Sequence, residues 1–549
     1  MFSTQSRLRA YLLPLLIFSL ALAARLVPGP RTIDDSYITY RYARNILAGN
    51  GFVYNPGERV LGTTTPLYTF LLTGVGFIAG GTGAPLPLIS LVINAIFDGL
   101  TCLVLIRLGS DLEAPWAGIG AAAVWAIAPY SVTFAIGGLE TSLYVLLLMG
   151  TVWAHMRNYH IPAAVLGALS LLTRPDALIL LGPLALDRFA QIWPSLKRSL
   201  DHSPGQQDGS LSPQNRLSVY ELLGFTLPVA IWVVFASMYF GSPLPHSIVA
   251  KNLAYLLPAE AALVRLLQHY ATPFLGHLTF GLNWIKIGIW LYPFLYIIGA
   301  RRILRTNKHT WHFLLYPWLY LIVFSIANPL IFRWYLTPPL PIYFFGILAG
   351  AESLIKTLLG VITKLPATTP ERVFRPFSTV VLFALVLLAP VALSLKDWRI
   401  LPTHGLRRPA PDMAWYQLEL IYHQAAEVIN SELLPADASP LLAAGDVGVL
   451  GYETGLQILD TVGLNSPVTT NYYPLDPQYY AINYAIPPDL IIDLKPDIIV
   501  ILEIYGRLSL LKDSRFKVQY HLRYKIPTDI YGSDGMLIFE RTPALGSNQ

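Results

Sequence analysis

The chain has 549 residues, of which 54% are hydrophobic and only 13% are charged. Since soluble proteins carry about 25% charged residues, this composition excludes an ordinary soluble protein and indicates an integral membrane protein. No basic run is interleaved with aromatic residues, so nucleic acid is not an expected partner, and the single cysteine, Cys102, excludes both an internal disulfide and a cysteine-based metal site.

The first apolar stretch, residues 11–27, follows Arg7 and Arg9 and has the pattern of a signal peptide or a first span. No small-residue cleavage site follows it, which favours a span with a cytoplasmic N-terminus. A spanning helix needs about 20 mostly apolar residues. The further candidate spans are 86–107, 114–131, 140–156, 161–173, 176–187, 219–240, 281–299, 311–328, 331–350 and 377–395. The short pair 161–173 and 176–187 is either two spans or one re-entrant hairpin.

Basic residues concentrate in alternate loops of this arrangement, which the positive-inside rule assigns to the cytoplasm. They include Arg107, Arg157, Arg188, Arg301, Arg302, Lys356 and Lys364. The predicted fold is a mainly α membrane bundle of about eleven spans. Residues 64–80 are also apolar, but counting them as a span disturbs the charge bias, so they are predicted to lie at the outer interface. The first outer loop is then 28–85, and the polar segment 199–216 is a flexible cytoplasmic connector.

The composition changes after residue 396, where the apolar runs become short and turn formers separate them. The sequence therefore predicts a transmembrane domain over 1–396 and a soluble α/β domain over 397–549 on the extracytoplasmic side. An amphipathic helix is predicted at 412–434. The predicted strands are 441–444, 456–459, 498–502 and 536–539.

Two adjacent carboxylates, Asp34 and Asp35, come directly after the first predicted span. Adjacent carboxylates that are partly buried need a cation, a metal ion or a shared proton, so the pair is a candidate general base or metal anchor. Alternatively, one of the two caps a helix over 36–48. Both roles are compatible, because a capping position fixes a carboxylate rigidly at the membrane rim.

Two further charged sites lie at the ends of predicted spans. Glu140 either caps the span that it begins or faces the same cavity as the aspartate pair. The segment Thr173-Arg174-Pro175-Asp176 interrupts the pair of short spans, and charged residues at membrane depth are usually functional. Arg174 is a candidate phosphate ligand through its planar guanidinium, or it pairs with Asp176 and stabilises the kink.

Cations also follow two later spans. His246 and Lys251 lie in the outer loop after 219–240 and are either site residues or solvated loop residues. Arg333 begins another predicted span and either snorkels beside the aromatic belt or belongs to the site. Carboxylates and cations thus lie at one membrane face on five separated segments. A lipid-linked substrate needs this arrangement, because cations hold its phosphate while a carboxylate activates an acceptor hydroxyl.

Motifs throughout the chain resemble, in order, those of the C-type membrane glycosyltransferases that use polyprenyl-phosphate sugars. They are Asp34-Asp35, Gly49-Asn50-Gly51, 55–60, Thr65-Pro66-Leu67, 138–141, 173–176, 239–245 with Lys251, 445–448 and 460–464. The chain looks most like the group that contains the terminal β-1,2-arabinofuranosyltransferases of cell-wall arabinan synthesis. It departs from the usual pattern at Leu61-Gly62 and at Tyr68, where tryptophan is common.

The resemblance implies inverting transfer of a glycosyl residue from a polyprenyl-phosphate sugar, with arabinofuranose as the candidate, to a cell-envelope glycan or glycoconjugate outside the plasma membrane. It implies Asp34 or Asp35 as the base; Arg174, Lys251 and Arg333 as phosphate ligands; and Glu140, His246, Arg44 and Arg59 as positioning residues. Some relatives use a divalent cation (Mg²⁺, Mn²⁺ or Ca²⁺), for which the aspartate pair is the candidate site, and some use none. The competing hypothesis is a transporter or flippase of a lipid-linked sugar, although no inverted repeat of the kind common in transporters is evident.

Overall fold

The computed structural model describes residues 4–201, 217–276, 282–362, 371–401, 407–414, 416–434 and 439–543. Residues 202–216 of the predicted connector, and Lys364, lie outside these ranges. Helices make up most of the chain before residue 397. They are α1 (Thr4–Leu26), α2 (Asp34–Leu47), α3 (Pro66–Ile78), α4 (Leu86–Asp111), α5 (Pro115–Ile127), α6 (Pro129–Ile136), α7 (Thr141–Met156), α8 (His160–Thr173), α9 (Leu178–Asp201), α10 (Val219–Phe240), α11 (His246–Ala254), α12 (Ala261–Ala271), α13 (Leu282–Thr306), α14 (Trp311–Ala327), α15 (Leu340–Ile362) and α16 (Glu371–Lys396).

Several of these helices are long and apolar enough to cross a membrane. Within the described ranges there are five such segments, or six if the bent pair α5–α6 is one span. The five are Leu86–Asp111, Val219–Phe240, Asn283–Thr306, Lys308–Ala327 and Arg333–Val361. Shorter apolar helices account for other predicted spans, among them Tyr11–Leu26, Thr141–Met156 and His160–Thr173. The predicted multi-pass helical fold is confirmed, whereas the count of about eleven spans stays a prediction.

Two of the predicted spans are interrupted next to proline residues. The span predicted over 114–131 is broken at Ala128, whose ψ of 135° is extended, and α5 and α6 are bent by 47°. The span predicted from 331 corresponds to the apolar segment Arg333–Val361, in which a short 3₁₀ turn at Arg333–Leu336 precedes α15. Both interruptions have the same physical reason, because a residue that precedes proline is disfavoured in the α conformation.

The first outer loop contains two helices, α2 and α3. The apolar segment predicted at 64–80 forms α3, which buries Tyr68 and Leu72 against the protein. Its C-terminal residues Phe77 and Ile78 are 75% and 86% exposed. An apolar face of this kind suits the interfacial position predicted for the segment.

After residue 396 the chain forms a mixed sheet and short helices, so the predicted α/β fold is confirmed. The strands are β1 (Trp398–Ile400), β2 (Pro409–Pro411), β3 (Leu441–Ala444), β4 (Gln457–Asp460), β5 (Ile498–Leu502), β6 (Tyr520–Ile526) and β7 (Met536–Arg541). The helices are α17 (Tyr416–Val428), α18 (Gly448–Thr454), α19 (Pro488–Leu494), α20 (Glu503–Gly506) and α21 (Ser514–Gln519). The main sheet has the order β4-β3-β5-β7-β6, in which β3 is parallel to β4 and β5 while β7 is antiparallel to its neighbours.

Two elements of this region differ from the prediction. Strand β6 was not predicted, because it is an exposed edge strand that alternates charged residues such as Arg523 and Lys525 with apolar ones. Charged side chains on an edge strand discourage pairing with other chains, but they hide the strand from a search for apolar runs. The helix predicted over 412–434 is shorter, since α17 ends at Val428 and a π-helical turn, Ile429–Leu433, follows.

One hydrophobic core joins the first outer loop to the sheet. Tyr40 and Tyr42 of α2 belong to the same buried cluster as Leu442 of β3 and Val500 of β5. Arg41 links the two regions as well, because its guanidinium donates to the carbonyl oxygens of Tyr54, at 2.7 Å, and Leu456, at 2.6 Å. The first outer loop and the C-terminal region therefore lie on the same side of the helical bundle. The division at residues 396 and 397 stays a prediction.

Candidate active site

Two cavities meet at Asp35. The bundle-side cavity has a volume of about 310 Å³ and is lined by residues that include Asp35, Thr65, Glu140, Arg174, Lys251 and Tyr335. The sheet-side cavity has a volume of about 470 Å³ and is lined by residues that include Asp34, Asp35, Tyr255, Arg333, Glu419 and Asp446. Asp35 and Trp334 line both cavities. The two aspartates of the predicted site therefore face different surroundings, although they are adjacent in the chain.

Neither aspartate caps α2, so the capping interpretation is wrong. The N-cap residue is Ile33, and Asp34 and Asp35 occupy the first turn. Carboxylates in a first turn still interact favourably with the partial positive charge of the helix N-terminus. The two side chains are therefore held at the start of a helix whose remaining residues are packed into the core, which restricts their movement.

The carboxylate of Asp34 attaches the C-terminal region to α2. It accepts hydrogen bonds from the backbone N–H groups of Gly448, at 2.8 Å, and Val449, at 2.7 Å, which are the first residues of α18. A Cβ atom at position 448 would overlap the Asp34 carbonyl group, so only glycine allows this approach. The backbone N–H of Asp34 donates to Glu419 Oε1 at 3.2 Å. Asp34 therefore has a positioning role in the geometry of the site.

Asp35 has a different environment. It is half-buried, and within the described ranges its carboxylate accepts no hydrogen bond. Burial raises the pKa of the Asp35 carboxyl above its ordinary value, and the nearby Lys251 ammonium partly opposes this shift. A carboxylate that lines both cavities, has no internal partner and has a raised pKa is suited to accept a proton from a substrate hydroxyl.

Arg174 lies at the predicted break and pairs with two carboxylates. Its backbone is extended between α8 and a 3₁₀ turn, Pro175–Ala177, because Pro175 follows it. The guanidinium pairs with Asp176, at 2.9 Å, and with Glu140, at 3.2 Å. The Arg–Asp pairing expected for a stabilised kink is present, and it extends to a second carboxylate. Glu140 is the N-cap residue of α7 but makes no side-chain capping bond, so the capping interpretation is wrong for this residue too.

Lys251 differs from Arg174 in having no acidic partner. In the described part of the chain no carboxylate oxygen lies within 4 Å of its ammonium group. The Lys251 Nζ atom lies 4.6 Å from the centre of the Phe332 ring, which is a cation–π distance. Its charge is therefore available to an anion that enters the bundle-side cavity.

The other predicted cations lie elsewhere. Arg333 is buried and donates to the Met413 carbonyl oxygen at 3.1 Å. It lines the sheet-side cavity, so it does not join Arg174 and Lys251, and the snorkelling interpretation is wrong because the side chain is enclosed. Arg44 stacks on Tyr452 and donates to its carbonyl oxygen at 2.6 Å.

Arg59 and His246 lie outside both cavities, as does Arg44. Arg59 stacks on the ring of Tyr239 at 4.7 Å. The backbone N–H of His246 donates to the Leu61 carbonyl oxygen at 2.8 Å, and burial lowers the pKa of its imidazole. The structure therefore separates these three predicted positioning residues from the group around Asp35.

Sequence analysis named Asp446 only as part of a motif and missed Glu419. Asp446 follows the carboxyl end of β3, and two other lining residues, Val462 and Tyr505, follow the ends of β4 and β5. The carboxyl ends of parallel strands are common sites for ligands. Glu419 could have been noticed as a carboxylate on the apolar face of the predicted helix, beside Leu418 and Tyr422.

The sheet-side cavity brings several carboxyl groups together. Burial raises the pKa of Asp446 to about 6, although its carboxylate accepts a hydrogen bond from the Tyr422 hydroxyl. Burial and the Asp446 carboxylate hold the pKa of Asp34 well above its usual range. Burial, followed by the charge of Asp34, does the same for Glu419. This cavity therefore favours a ligand that donates hydrogen bonds.

Potential metal ligands come together in a different place. Among the described residues, His155, Asp187 and His312 are the one group of His, Cys, Asp and Glu side chains with metal-ligand spacing. The aspartate pair fits a cation poorly, because both oxygens of Asp34 accept backbone hydrogen bonds.

The sequence is similar to that of a characterised glycosyltransferase. It is 32% identical over 236 residues to the terminal β-(1→2)-arabinofuranosyltransferase of Mycobacterium tuberculosis, a match that covers 40% of this chain and 35% of the relative. The chain thus matches about a third of the length of that relative. Residues 411–539 match a domain of unknown function, DUF8728.

The fold is that of solved membrane glycosyltransferases. The oligosaccharyltransferase AglB of Archaeoglobus fulgidus aligns over 100% of this chain and 75% of its own, at 13% identity and a TM-score of 0.53. ArnT of Cupriavidus metallidurans in the apo state aligns over 98% of both chains, at 14% identity and a TM-score of 0.51. The chain therefore has the C-type membrane glycosyltransferase fold and resembles in sequence the terminal arabinofuranosyltransferases.

Proposed function

We propose that the protein transfers a glycosyl residue from a polyprenyl-phosphate sugar to a hydroxyl group of a cell-envelope glycan or glycoconjugate, outside the plasma membrane. The observation that carries this proposal is the position of Asp35, which lines both cavities and has no hydrogen-bond partner among the described residues. A base at the junction of two binding sites can act on an acceptor in one of them and a donor in the other.

The bundle-side cavity would hold the donor. Lys251 offers an uncompensated positive charge to the phosphate, and apolar side chains such as Phe324 and Pro329 line the same space. One structure of AglB contains a dolichol-phosphate, which supports a lipid-linked phosphate as the donor class. Arg174 would have a structural role in this cavity. It would hold the side chains of Glu140 and Asp176 in place, because both carboxylates already accept its hydrogen bonds.

The sheet-side cavity would hold the acceptor. Its buried carboxylates, Glu419 and Asp446, are hydrogen-bond acceptors suited to sugar hydroxyls. Tyrosine side chains, including Tyr255, Tyr484 and Tyr505, line the same cavity and offer flat apolar surfaces for sugar rings. Because this cavity lies at the carboxyl ends of β3, β4 and β5, the C-terminal region would determine the specificity for the acceptor.

The reaction would be a single inverting displacement. Asp35 takes the proton of the acceptor hydroxyl while that oxygen bonds to the anomeric carbon. The bond between the anomeric carbon and the phosphate oxygen breaks, and polyprenyl phosphate leaves with its negative charge beside Lys251. No step in this scheme uses a metal ion, since the aspartate pair fits a cation poorly; the divalent cation used by some relatives has no assigned role here.

The orientation also belongs to the proposal. The shared core of the first outer loop and the sheet supports one extracytoplasmic location for both, and the distribution of Arg and Lys supports a cytoplasmic N-terminus. The acceptor would then reach the sheet-side cavity from outside the cell, and the lipid-linked donor would reach the bundle-side cavity from the outer leaflet.

A transfer assay tests the proposal. The purified full-length chain is incubated with labelled polyprenyl-phosphate sugars, arabinofuranose first, and with arabinan oligosaccharides as acceptors. We expect Asp35→Asn to lower the transfer rate by about 10²–10⁴-fold while binding of the polyprenyl phosphate is retained. Asp34→Asn is the matched control; it should lower thermal stability more than Asp35→Asn but reduce the rate of folded protein by less than about tenfold.

Each alternative has its own outcome in this assay. Full activity of Asp35→Asn, or loss of chemistry in folded Asp34→Asn alone, would contradict the assignment of the base. In proteoliposomes, movement of the labelled lipid across the bilayer with no glycosylated product would support the transporter or flippase instead.

A further inference from the structure

A second cluster of titratable side chains lies at the opposite end of α7 from the candidate active site. It contains His155 in the last turn of α7, Asp187 in α9 and His312 in the first turn of α14. One ligand atom from each of the three lies within 4.8 Å of the others, and all three side chains are buried. We propose that this cluster binds one Zn²⁺-class transition-metal ion that holds the three helices together.

The spacing is close to that of a metal site. The Nε2 atom of His155 lies 3.0 Å from the Oδ2 atom of Asp187. Zinc bonds of about 2.0–2.1 Å in a tetrahedral site place ligand atoms roughly 3.3 Å apart. The rings of His155 and His312 lie edge to face with their centres 4.9 Å apart. Small side-chain rotations would therefore bring the third ligand into coordination distance.

His312 gives an independent indication of a ligand. It is 0% exposed, and neither ring nitrogen makes a well-formed hydrogen bond with another described residue. A buried polar group without a partner costs about 1–3 kcal/mol. The hydrogen bond between His155 and Asp187 accounts for those two residues but leaves His312 unexplained, whereas a metal ion would use a nitrogen lone pair of His312.

Neighbouring side chains orient the carboxylate of Asp187. It accepts hydrogen bonds from Trp311 Nε1, at 2.9 Å, and from Gln191 Nε2, at 2.7 Å. Hydrogen-bond partners of this kind fix the orientation of the side chains that coordinate a metal ion in proteins. The adjacent cation, Arg188, is neutralised by two hydrogen bonds of 2.8 Å to Glu221, so its repulsion of a bound cation is reduced.

The donor atoms select the class of metal. Two imidazole nitrogens and one carboxylate suit Zn²⁺ and the neighbouring transition metals, whereas Mg²⁺ and Ca²⁺ prefer sites made of oxygen atoms. The half-exposed His309, whose Nδ1 lies 3.3 Å from Asp187 Oδ1, connects the cluster to solvent. The site is therefore reachable by an ion from the side of the bundle where Arg157 and Lys308 lie.

The ion would not take part in glycosyl transfer. His155 and Thr141 are fourteen residues apart on α7, which corresponds to about 21 Å along a helix. Glu140, which lines the bundle-side cavity, precedes Thr141. The ion would therefore stabilise the packing of α7, α9 and α14 at the far side of the bundle.

Metal analysis of the full-length chain tests the proposal. The purified protein, freed of any histidine tag, is stripped with a chelator, titrated with Zn²⁺ or Co²⁺, and assayed for bound metal and thermal stability. We expect one ion per chain, visible absorption bands of histidine-bound Co²⁺, and a melting temperature that rises with Zn²⁺. His312→Gln and Asp187→Asn should abolish all three effects, and Trp311→Phe should lower affinity by about 10–100-fold.

His269→Gln is the matched control, because His269 is also fully buried with ring nitrogens that lack well-formed hydrogen bonds. It lies in α12 beside the rings of Tyr130 and Tyr270, away from the cluster. It should keep metal binding, as should Asp35→Asn, which distinguishes this proposal from the proposed transfer reaction. The proposal is overturned if the native chain binds no stoichiometric metal, if folded His312→Gln binds as well as the native chain, or if His269→Gln loses the ion.

Discussion

The two cavities that share Asp35 differ in the charged side chains that line them. In the bundle-side cavity, Arg174 is paired with Glu140 and Asp176, and Lys251 is the cation that remains available within the described ranges. In the sheet-side cavity, Asp446 and Glu419 are enclosed beside Asp34. Burial raises the pKa values of all three carboxyl groups, and neighbouring carboxylates add to each shift. In the proposed function, the first cavity would accept an anion and the second would accept hydroxyl groups.

This difference shows that the number of charged residues in a site is a poor guide to which of them act. The planar guanidinium of Arg174, at the interruption of two predicted short spans, makes it a candidate phosphate ligand. Two carboxylates already accept hydrogen bonds from its Nε and Nη1 atoms and offset its charge. Lys251 has no carboxylate partner of this kind among the described residues, and an unpaired cation attracts a phosphate more strongly than a neutralised one.

The largest effect should come from breaking the buried ion pairs of the bundle-side cavity. Arg174→Gln leaves Glu140 and Asp176 without their partner, and loss of one member of a buried ion pair costs about 3–5 kcal/mol. Unfolding of the purified variant in detergent would measure this loss. Arg157→Gln is the control, because its pair with Asp111 is 48% exposed on the arginine side and such pairs are worth about 0–1 kcal/mol. Equal losses in the two variants would contradict the structural role of Arg174.

The contact between the outer loop and the sheet can be tested at one glycine. Gly448→Ala places a methyl group against the Asp34 carbonyl, and crowding of this kind costs about 1–3 kcal/mol. Because the contact also positions the aspartate pair, transfer activity should fall with stability. Gly74→Ala on α3 is the control, since nothing lies within 4 Å of the added atom; it should be neutral or stabilising. Unchanged stability of Gly448→Ala would mean that α18 is not held against α2 in this way.

Removal of the available cation should weaken donor binding. Lys251→Gln should raise the KM for the polyprenyl-phosphate sugar by about tenfold, or about 1.4 kcal/mol. The Lys251 charge lowers the pKa of Asp35 relative to burial alone. Since the base must be ionised, activity rises with pH through the pKa of Asp35. Loss of the Lys251 charge raises this pKa, so Lys251→Gln should move the acidic limb of the pH–rate profile to higher pH.

Lys251→Arg is the matched variant for this prediction, because it keeps the positive charge. It should leave the acidic limb near its native position even if donor affinity changes. An acidic limb that does not move in Lys251→Gln would show that the ammonium group and the base do not interact.

The smallest effect should come from the acceptor side. The pKa of Asp446 is about 6 rather than the usual 3.8, so its negative charge forms as the pH rises through about 6. We expect the acceptor KM to decrease by a few-fold, less than about 1.4 kcal/mol, between roughly pH 5 and pH 7. Asp446→Asn should remove this dependence without changing the KM for the donor. A native acceptor KM that is constant over this range would contradict the role of Asp446.

The same carboxyl group has a consequence for stability. Because its pKa is raised on folding, the folded chain binds this proton more tightly than the unfolded chain. Its contribution to stability is therefore fully present below about pH 4 and is lost as the pH rises to about 6. Unfolding of the native chain and of Asp446→Asn across this range would measure the difference.

Patterns along the chain were sufficient to predict the class of fold. Apolar runs predicted the positions of most membrane helices, and 219–240 coincides with α10. Three of the four predicted strands begin at the observed residue, because buried strands are short apolar runs between turn formers. The prediction failed where local rules compete, as at Ala128 before a proline and at the charged edge strand β6.

The sequence by itself determined that helices fill a membrane, that a sheet follows them, and that an acidic pair opens the first outer loop. These properties depend on neighbouring residues, so hydropathy and spacing reveal them. Only the tertiary structure decided that Asp34 binds the backbone of α18 while the Asp35 carboxylate accepts no hydrogen bond from the described residues. It also decided that Glu419 contacts Asp34, from which it is 385 residues distant in the chain. The physical reason is that pairing and desolvation depend on distances in space, and contacts between distant segments leave no pattern along the chain.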